Sequence, residues 1–228
     1  MKRLVQPELL DTLPPDDPRA MRSRRDLRRI NRWMRNAVIM TTALKSNLAS
    51  APQQITELGA GDGHFLLRVA HKMSPHWPGV KVALLDWQKT VPPETLAAHA
   101  ELGWHAEAVI ADVFDWAPPG KADGVVIANL FLHHFEDAKL SELLRKISGN
   151  ARLFVAVEPH RFAFPALVGS LLRIIGGNDV TRHDAVASIR AGFDGQEISA
   201  LWPERTDWQL TERRAGPFSH LFIARRRE

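Results

Sequence analysis

Ile55-Thr56-Glu57-Leu58-Gly59-Ala60-Gly61-Asp62-Gly63-His64-Phe65 reads as a buried strand that stops near an acidic residue and passes into three glycines at every second position. Glycine adopts positive φ without steric cost and lets a ligand approach the backbone, and the helix that follows offers its free N–H groups at the same spot. The stretch predicts a strand–turn–helix cradle for a small ligand. A dinucleotide fingerprint would need its third glycine at 64, where the chain has His64, so a pyrophosphate is disfavoured.

Outward from this turn the pattern is regular. Strands are predicted at 54–58, 80–86, 105–110, 122–129 and 151–157, alternating with helices near 63–73, 92–102, 136–148 and 163–176. Such alternation is the signature of an α/β fold with a doubly wound, mostly parallel sheet. A helix near 195–202 precedes two further strands, around 208–213 and 219–225, whose short connection makes them an antiparallel ending on a seven-stranded sheet. Upstream, residues 11–19 carry three prolines and three aspartates and read as an irregular lead-in. From about 20 to 49, Leu27, Ile30, Met34, Ala37, Val38 and Thr41 recur at helical steps, with Arg25, Arg28, Arg32 and Arg35 on another face. The expected division is an N-terminal helical cap over 1–50, of one helix or two, and a ligand-binding domain over 51–228.

Composition narrows the chemistry. With 228 residues and 45% hydrophobic content the chain can bury a large core unaided, and it has no cysteine. Disulfides, thiolate metal sites and cysteine nucleophiles are thereby excluded. The N-terminal residues lack the apolar run of a secretory signal, and no stretch approaches the ~18 apolar residues of a membrane span, so a soluble cytoplasmic protein with no membrane partner is expected. The net charge of +4 belongs to the N-terminus: residues 1–50 hold 11 Lys/Arg against 5 Asp/Glu.

In a doubly wound sheet ligands bind beyond the carboxyl ends of the strands. Strand two ends in Asp86-Trp87, a carboxylate able to accept two ribose hydroxyl bonds beside a ring able to cover an adenine face; a turn carboxylate and a core tryptophan are the plainer readings. Strand three ends in Asp112-Val113, suited to accept an adenine amino hydrogen while packing its ring, although Asp112 equally suits a helix N-cap. Strand four ends in Asn129-Leu130-Phe131-Leu132-His133-His134-Phe135.

The turn Glu57-Leu58-Gly59-Ala60-Gly61-Asp62-Gly63 resembles motif I of the class I S-adenosylmethionine (SAM)-dependent methyltransferases, a Rossmann-like fold. The resemblance runs from 53 to 225. It implies SAM as cofactor, held by Glu57, Gly59, Ala60, Gly61, Gly63, Asp86, Trp87, Asp112, Val113 and Asn129. The segment from Asn129 resembles motif IV of small-molecule enzymes of that family. It lacks the Pro-Pro-aromatic continuation of nucleic-acid amine methyltransferases, and Glu158-Pro159-His160 replaces the Asp-Asn pair of metal-dependent catechol enzymes. Val180-Thr181-Arg182-His183-Asp184 and Ser188-Ile189-Arg190-Ala191-Gly192-Phe193 are similar to a segment of bacterial methyltransferases encoded near type III polyketide synthases.

Methyl transfer needs alignment, a dry pocket and removal of one proton, and histidine suits the last task because it titrates near neutral pH. His134 is the first candidate and His133 the second, with His160 and the pair His183 and Asp184 as competitors. No histidine spacing matches a known ligand set, so no metal is expected. The function expected is methylation of oxygen or carbon on a small-molecule acceptor, aromatic or polyketide-like, with the apolar segment 162–176 in its wall and Asn31, Trp33 and Met34 of the cap near cofactor or acceptor. Two alternatives stand beside it: an RNA methyltransferase docking through the arginine stripe, and a catalytically silent SAM-binding module. Aspartates 16, 17 and 26 dilute the stripe and the chain has no tyrosine for base stacking, so nucleic acid is disfavoured. The oligomeric state is left open.

Overall fold

The protein, described by a computed structural model over residues 2–14, 16–116, 124–162, 177–203 and 205–227, is built on one seven-stranded sheet. The strands are β1 (Gln54–Leu58), β2 (Lys81–Asp86), β3 (His105–Ile110), β4 (Gly124–Asn129), β5 (Ala151–Pro159), β6 (Trp208–Ala215) and β7 (Ser219–Arg226), in the order β3-β2-β1-β4-β5-β7-β6. β1 to β5 are parallel, and β7 pairs antiparallel with β5 and β6. This is the doubly wound, mostly parallel sheet with an antiparallel ending that the alternation of apolar runs predicts.

The helices are α1 (Leu9–Thr12), α2 (Pro18–Met34), α3 (Asn36–Asn47), α4 (His64–Met73), α5 (Pro93–Glu101), α6 (Asp137–Asn150), α7 (Asp179–Ala191) and α8 (Glu197–Leu201). The segment expected to be helical near 163–176 lies outside the described residues. Because successive strand residues point to opposite faces, the sheet sorts its side chains into two layers. Ile55, Val82, Leu84, Ile127, Val155 and Leu221 pack against α3 and α4. Leu58, Leu85, Val126, Phe154 and Phe222 pack on the other face against Leu140, Leu143, Leu144 and Ile147 of α6, closed off by Trp202 and Trp208.

The helical stretch after residue 17 is two helices. Asp17 caps α2, its carboxylate accepting the Arg19 N–H, and Pro18 occupies the first turn. Arg35, at φ 59°, ends α2 by returning its N–H to Arg32, and α3 leaves in a new direction. Ala37, Met40, Ala43 and Leu44 of α3 belong to the same core as the sheet, whereas Arg24, Leu27, Arg28 and Asn31 of α2 face the cavity at the strand ends. α7 carries little apolar periodicity because part of its buried face is polar: Thr181 bonds Ser23 and Asp26 of α2, and Asp184 accepts the N–H groups of Leu9 and Leu10.

Candidate active site

The strand order reverses between β1 and β4, and there the carboxyl ends of β1, β2 and β4 leave a crevice. Gly59, Gly61 and Gly63 have φ of 65°, 55° and 72°, so the turn after β1 is left-handed at alternate residues. At Gly59 a Cβ would strike the Phe131 ring, whereas at Gly61 it would meet no protein atom within 4 Å. The space above Gly61 is open, and Gly61 lines the cavity described next. The turn is fastened to β2: Ala60 N–H donates to Leu85 O (3.0 Å), Gly61 N–H to Asp86 Oδ2 (2.8 Å), and Thr90 Oγ1–H to Gly61 O (2.6 Å).

A cavity of about 460 Å³ runs over these ends. At one end lie Asp112, Val113 and Phe114, then Asp86, Trp87 and Gln88, then Glu57 and the glycine turn. Trp87 is 62% exposed, so it is no core residue, and Val113 is buried. Asp112 Oδ1 accepts the Phe114 N–H at 2.8 Å, fixing the turn after β3. The carboxylates here are perturbed. Burial, reinforced by Asp62 and Asp86, pushes Glu57 well above its ordinary range, and its Oε2 is buried without a hydrogen-bond partner among the described residues. Burial also raises Asp86, against the N–H groups of Gln88 and Gly61. Asp62 is buried too, but His64 and Arg28 hold it below its usual value. Arg28 closes on Asp62 at 2.5 Å and Arg24 reaches Gln88 at 3.3 Å, so α2 is tied across the cavity mouth.

A lining rich in carboxylate oxygens fits a ligand of net positive charge. SAM is such a ligand, carrying a sulfonium and an ammonium against one carboxylate. The empty volume over Gly61 and the orphaned Glu57 oxygen are two further marks of that fit.

The opposite end of the cavity is organised by Glu158, which is fully buried on β5. Its Oε1 accepts the N–H groups of Phe131 (3.0 Å) and Leu132 (2.9 Å), and its Oε2 accepts the His133 ring at Nδ1 (2.8 Å). These bonds fold 131–134 into a 3₁₀ turn behind Leu130, which sits at φ 53°. His133 Nε2 faces Glu8 Oε1 at 3.3 Å, and Glu8 also accepts the Ser188 hydroxyl. Burial opposes the charge on His133, but Glu158 and Glu8 overcome it and raise its pKa to about 9. Glu8 is likewise carried down to about 2, against burial, by His133, His134 and Ser188. The two carboxylates thus favour the protonated imidazole of His133 and engage both of its ring nitrogens.

His134 differs. It is partly exposed, lines the cavity, and its Nδ1 lies 3.2 Å from Asp11 Oδ2. Asp11 reaches this point because Asp184 anchors the first turn of α1. His183 and Asp184 do pair, at 2.9 Å, but outside the cavity lining. His160 is also away from that lining, bridged to Phe193. Asn129 faces the cavity with its amide engaged by Asn31 (3.1 Å) and Asn36 (2.9 Å). Trp33, expected near the ligand, stacks on Phe218 with 62% exposure, and neither it nor Met34 lines the cavity. Glu8, Asp11, Glu158 and Ser188 are site residues that sequence reasoning missed. Pro7-Glu8 and Glu158-Pro159 have no spacing relation to the histidines, so only the fold joins them.

Residues 55–152 match the family model of the methyltransferase domain. No curated protein matches the chain in sequence. Among solved structures, the plantazolicin methyltransferase BpumL in complex with SAH (S-adenosylhomocysteine) is similar at TM-score 0.65 and 13% identity, over 93% of this chain and 92% of that one. Magnesium protoporphyrin IX methyltransferase ChlM from Synechocystis PCC 6803, with bound SAH, is similar at TM-score 0.54 and 16% identity, over 85% and 83%. An O-methyltransferase family protein from Burkholderia thailandensis is similar at TM-score 0.54 and 18% identity, over 85% of this chain and 57% of that one. Residues 55–152, which carry the glycine turn and the ends of β1 to β4, match a methyltransferase domain, and the chain as a whole has the Rossmann-like fold of these solved methyltransferases.

Proposed function

We propose that the chain methylates a small organic acceptor, at oxygen or carbon, in the half of the cavity bounded by Glu8, Asp11, Phe131, His134 and Phe135. The observation that carries this reading is one continuous cavity lined both by the glycine turn and by the His134–Asp11 pair. SAM supplies a methyl group already activated by its sulfonium. The residues supply the rest. Gly59 to Gly63 and Glu57 hold the amino-acid end, Asp86 keeps lone pairs free for ribose hydroxyls, and Asp112 with Val113 and Trp87 takes the adenine. At the acceptor, the new bond to carbon forms as the S–CH3 bond breaks toward sulfur, and the acceptor's proton passes to the His134–Asp11 pair.

Arg28 of the arginine stripe turns inward to Asp62, which speaks against docking of RNA through that face. His134→Ala is expected to lower turnover by about 10²-fold with SAM affinity unchanged, measured by methyl transfer and by titration calorimetry. Full activity in that variant would remove the assignment.

A further inference from the structure

We propose that Glu8, His133 and His134 form a binding site for one divalent transition cation, of the Zn²⁺ or Co²⁺ class, beside the transferred methyl group. The proposal rests on the reading that this end of the cavity receives the acceptor, and it gives that acceptor a hydroxyl group.

One ring nitrogen from each histidine and a carboxylate oxygen of Glu8 lie within 4.8 Å of one another. Two imidazoles with one carboxylate are a donor set of catalytic zinc sites, which keep a further position open. Ligands at zinc bond lengths on a tetrahedron stand about 3.3 Å apart, and one of the three pairs, His133 Nε2 and Glu8 Oε1, stands at 3.3 Å.

Each donor also has the outer partner that a ligand requires. Glu158 takes Nδ1 of His133 at 2.8 Å, which leaves Nε2 to face Glu8. Asp11 Oδ2 lies 3.2 Å from Nδ1 of His134. Ser188 donates to Glu8. Carboxylate–histidine pairs of this kind set the tautomer and raise the basicity of the free nitrogen. A cation bound here replaces the proton held on His133, with that proton released to solvent. With the cation bound, an acceptor hydroxyl in the open position would be acidified, and the His134–Asp11 pair would take its proton at the Asp11 carboxylate, with His134 as ligand.

The test is titration of the chelator-treated full chain with Co²⁺ alone, read by visible absorption and calorimetry, with SAH binding as the check on folding. One cobalt per chain is expected, with the intense absorption of a four-coordinate ion, displaced stoichiometrically by Zn²⁺. Glu8→Gln and His134→Ala are each expected to weaken cobalt binding at least tenfold with SAH affinity retained. Absence of cobalt binding in protein that binds SAH overturns the site, as does unchanged binding in either variant. Methyl transfer that persists without cobalt binding leaves the function standing and removes the cation; cobalt binding without transfer to any acceptor does the reverse.

Discussion

Gly61 shows how one residue serves two requirements at once. Its φ of 55° excludes ordinary side chains from that conformation, and the position its Cβ would occupy is open cavity. Gly61→Val is expected to abolish SAM binding in calorimetry, by filling the cavity and straining the left-handed turn, while circular dichroism shows the overall fold retained, since no neighbouring protein atom is struck. Retained affinity would place the cofactor elsewhere. Glu158 is the contrasting case. A buried carboxylate that gathers backbone N–H groups and an imidazole organises the whole 131–134 turn, yet in the sequence it is one acid before a proline. Its importance comes from β4 and β5 being neighbours, with Asn129 opposite Val157.

Among the elements, α2 has the clearest mechanical role. The Arg28–Asp62 and Arg24–Gln88 contacts tie it over the cofactor turn, and a partly exposed ion pair of this kind contributes at most about 1 kcal/mol. Such a strap slows exchange without sealing the site. Arg28→Ala is expected to speed both association and release of SAH by about threefold, with little change in affinity. Stopped-flow fluorescence can follow this, with the exposed Trp87 as reporter. Release at the wild-type rate would mean that the pair does not gate the mouth. α1 is too short to be stable alone, and Asp184 holds it from α7. Loosening that anchor displaces Glu8 and Asp11 together, so Asp184→Ala is expected to lower turnover about tenfold or more while SAM affinity holds, a split visible in steady-state kinetics beside calorimetry.

For the whole molecule, acid stability is expected to depend on His99, which is fully buried in the packing of α5. Burial lowers its pKa to about 4, with His71 adding repulsion. The unfolded chain binds this proton at its ordinary value near 6.5 and the folded chain does not until about 4. Stability from this group is therefore full above about 6.5 and is lost as pH falls from there toward 4. The loss is on the order of 3 kcal/mol. Urea unfolding at pH 7 and pH 5 is expected to show a smaller decline in His99→Leu than in wild type, and equal declines would discount the histidine.

What the sequence determined by itself is whatever local pattern encodes. Apolar runs of strand length, broken at glycine and proline, set the sheet and its antiparallel ending. Gly59, Gly61 and Gly63 with Glu57 marked the candidate cofactor turn, and the structure holds all three glycines at positive φ, a requirement that leaves its trace within a few residues of sequence. Asp86 and Asp112 were legible because strand ends are where a doubly wound sheet binds. Of the proposed acceptor end only His134 stood out in the sequence, and the rest belongs to the tertiary structure. Glu8, Asp11, His134, Glu158 and Ser188 come from the N-terminal strap, the end of β4, β5 and α7. No periodicity links them in the chain, and α7 hid its contribution by burying Thr181 and Asp184 where a helix normally buries leucine. Their chemistry exists only after long-range packing has brought them within hydrogen-bonding distance.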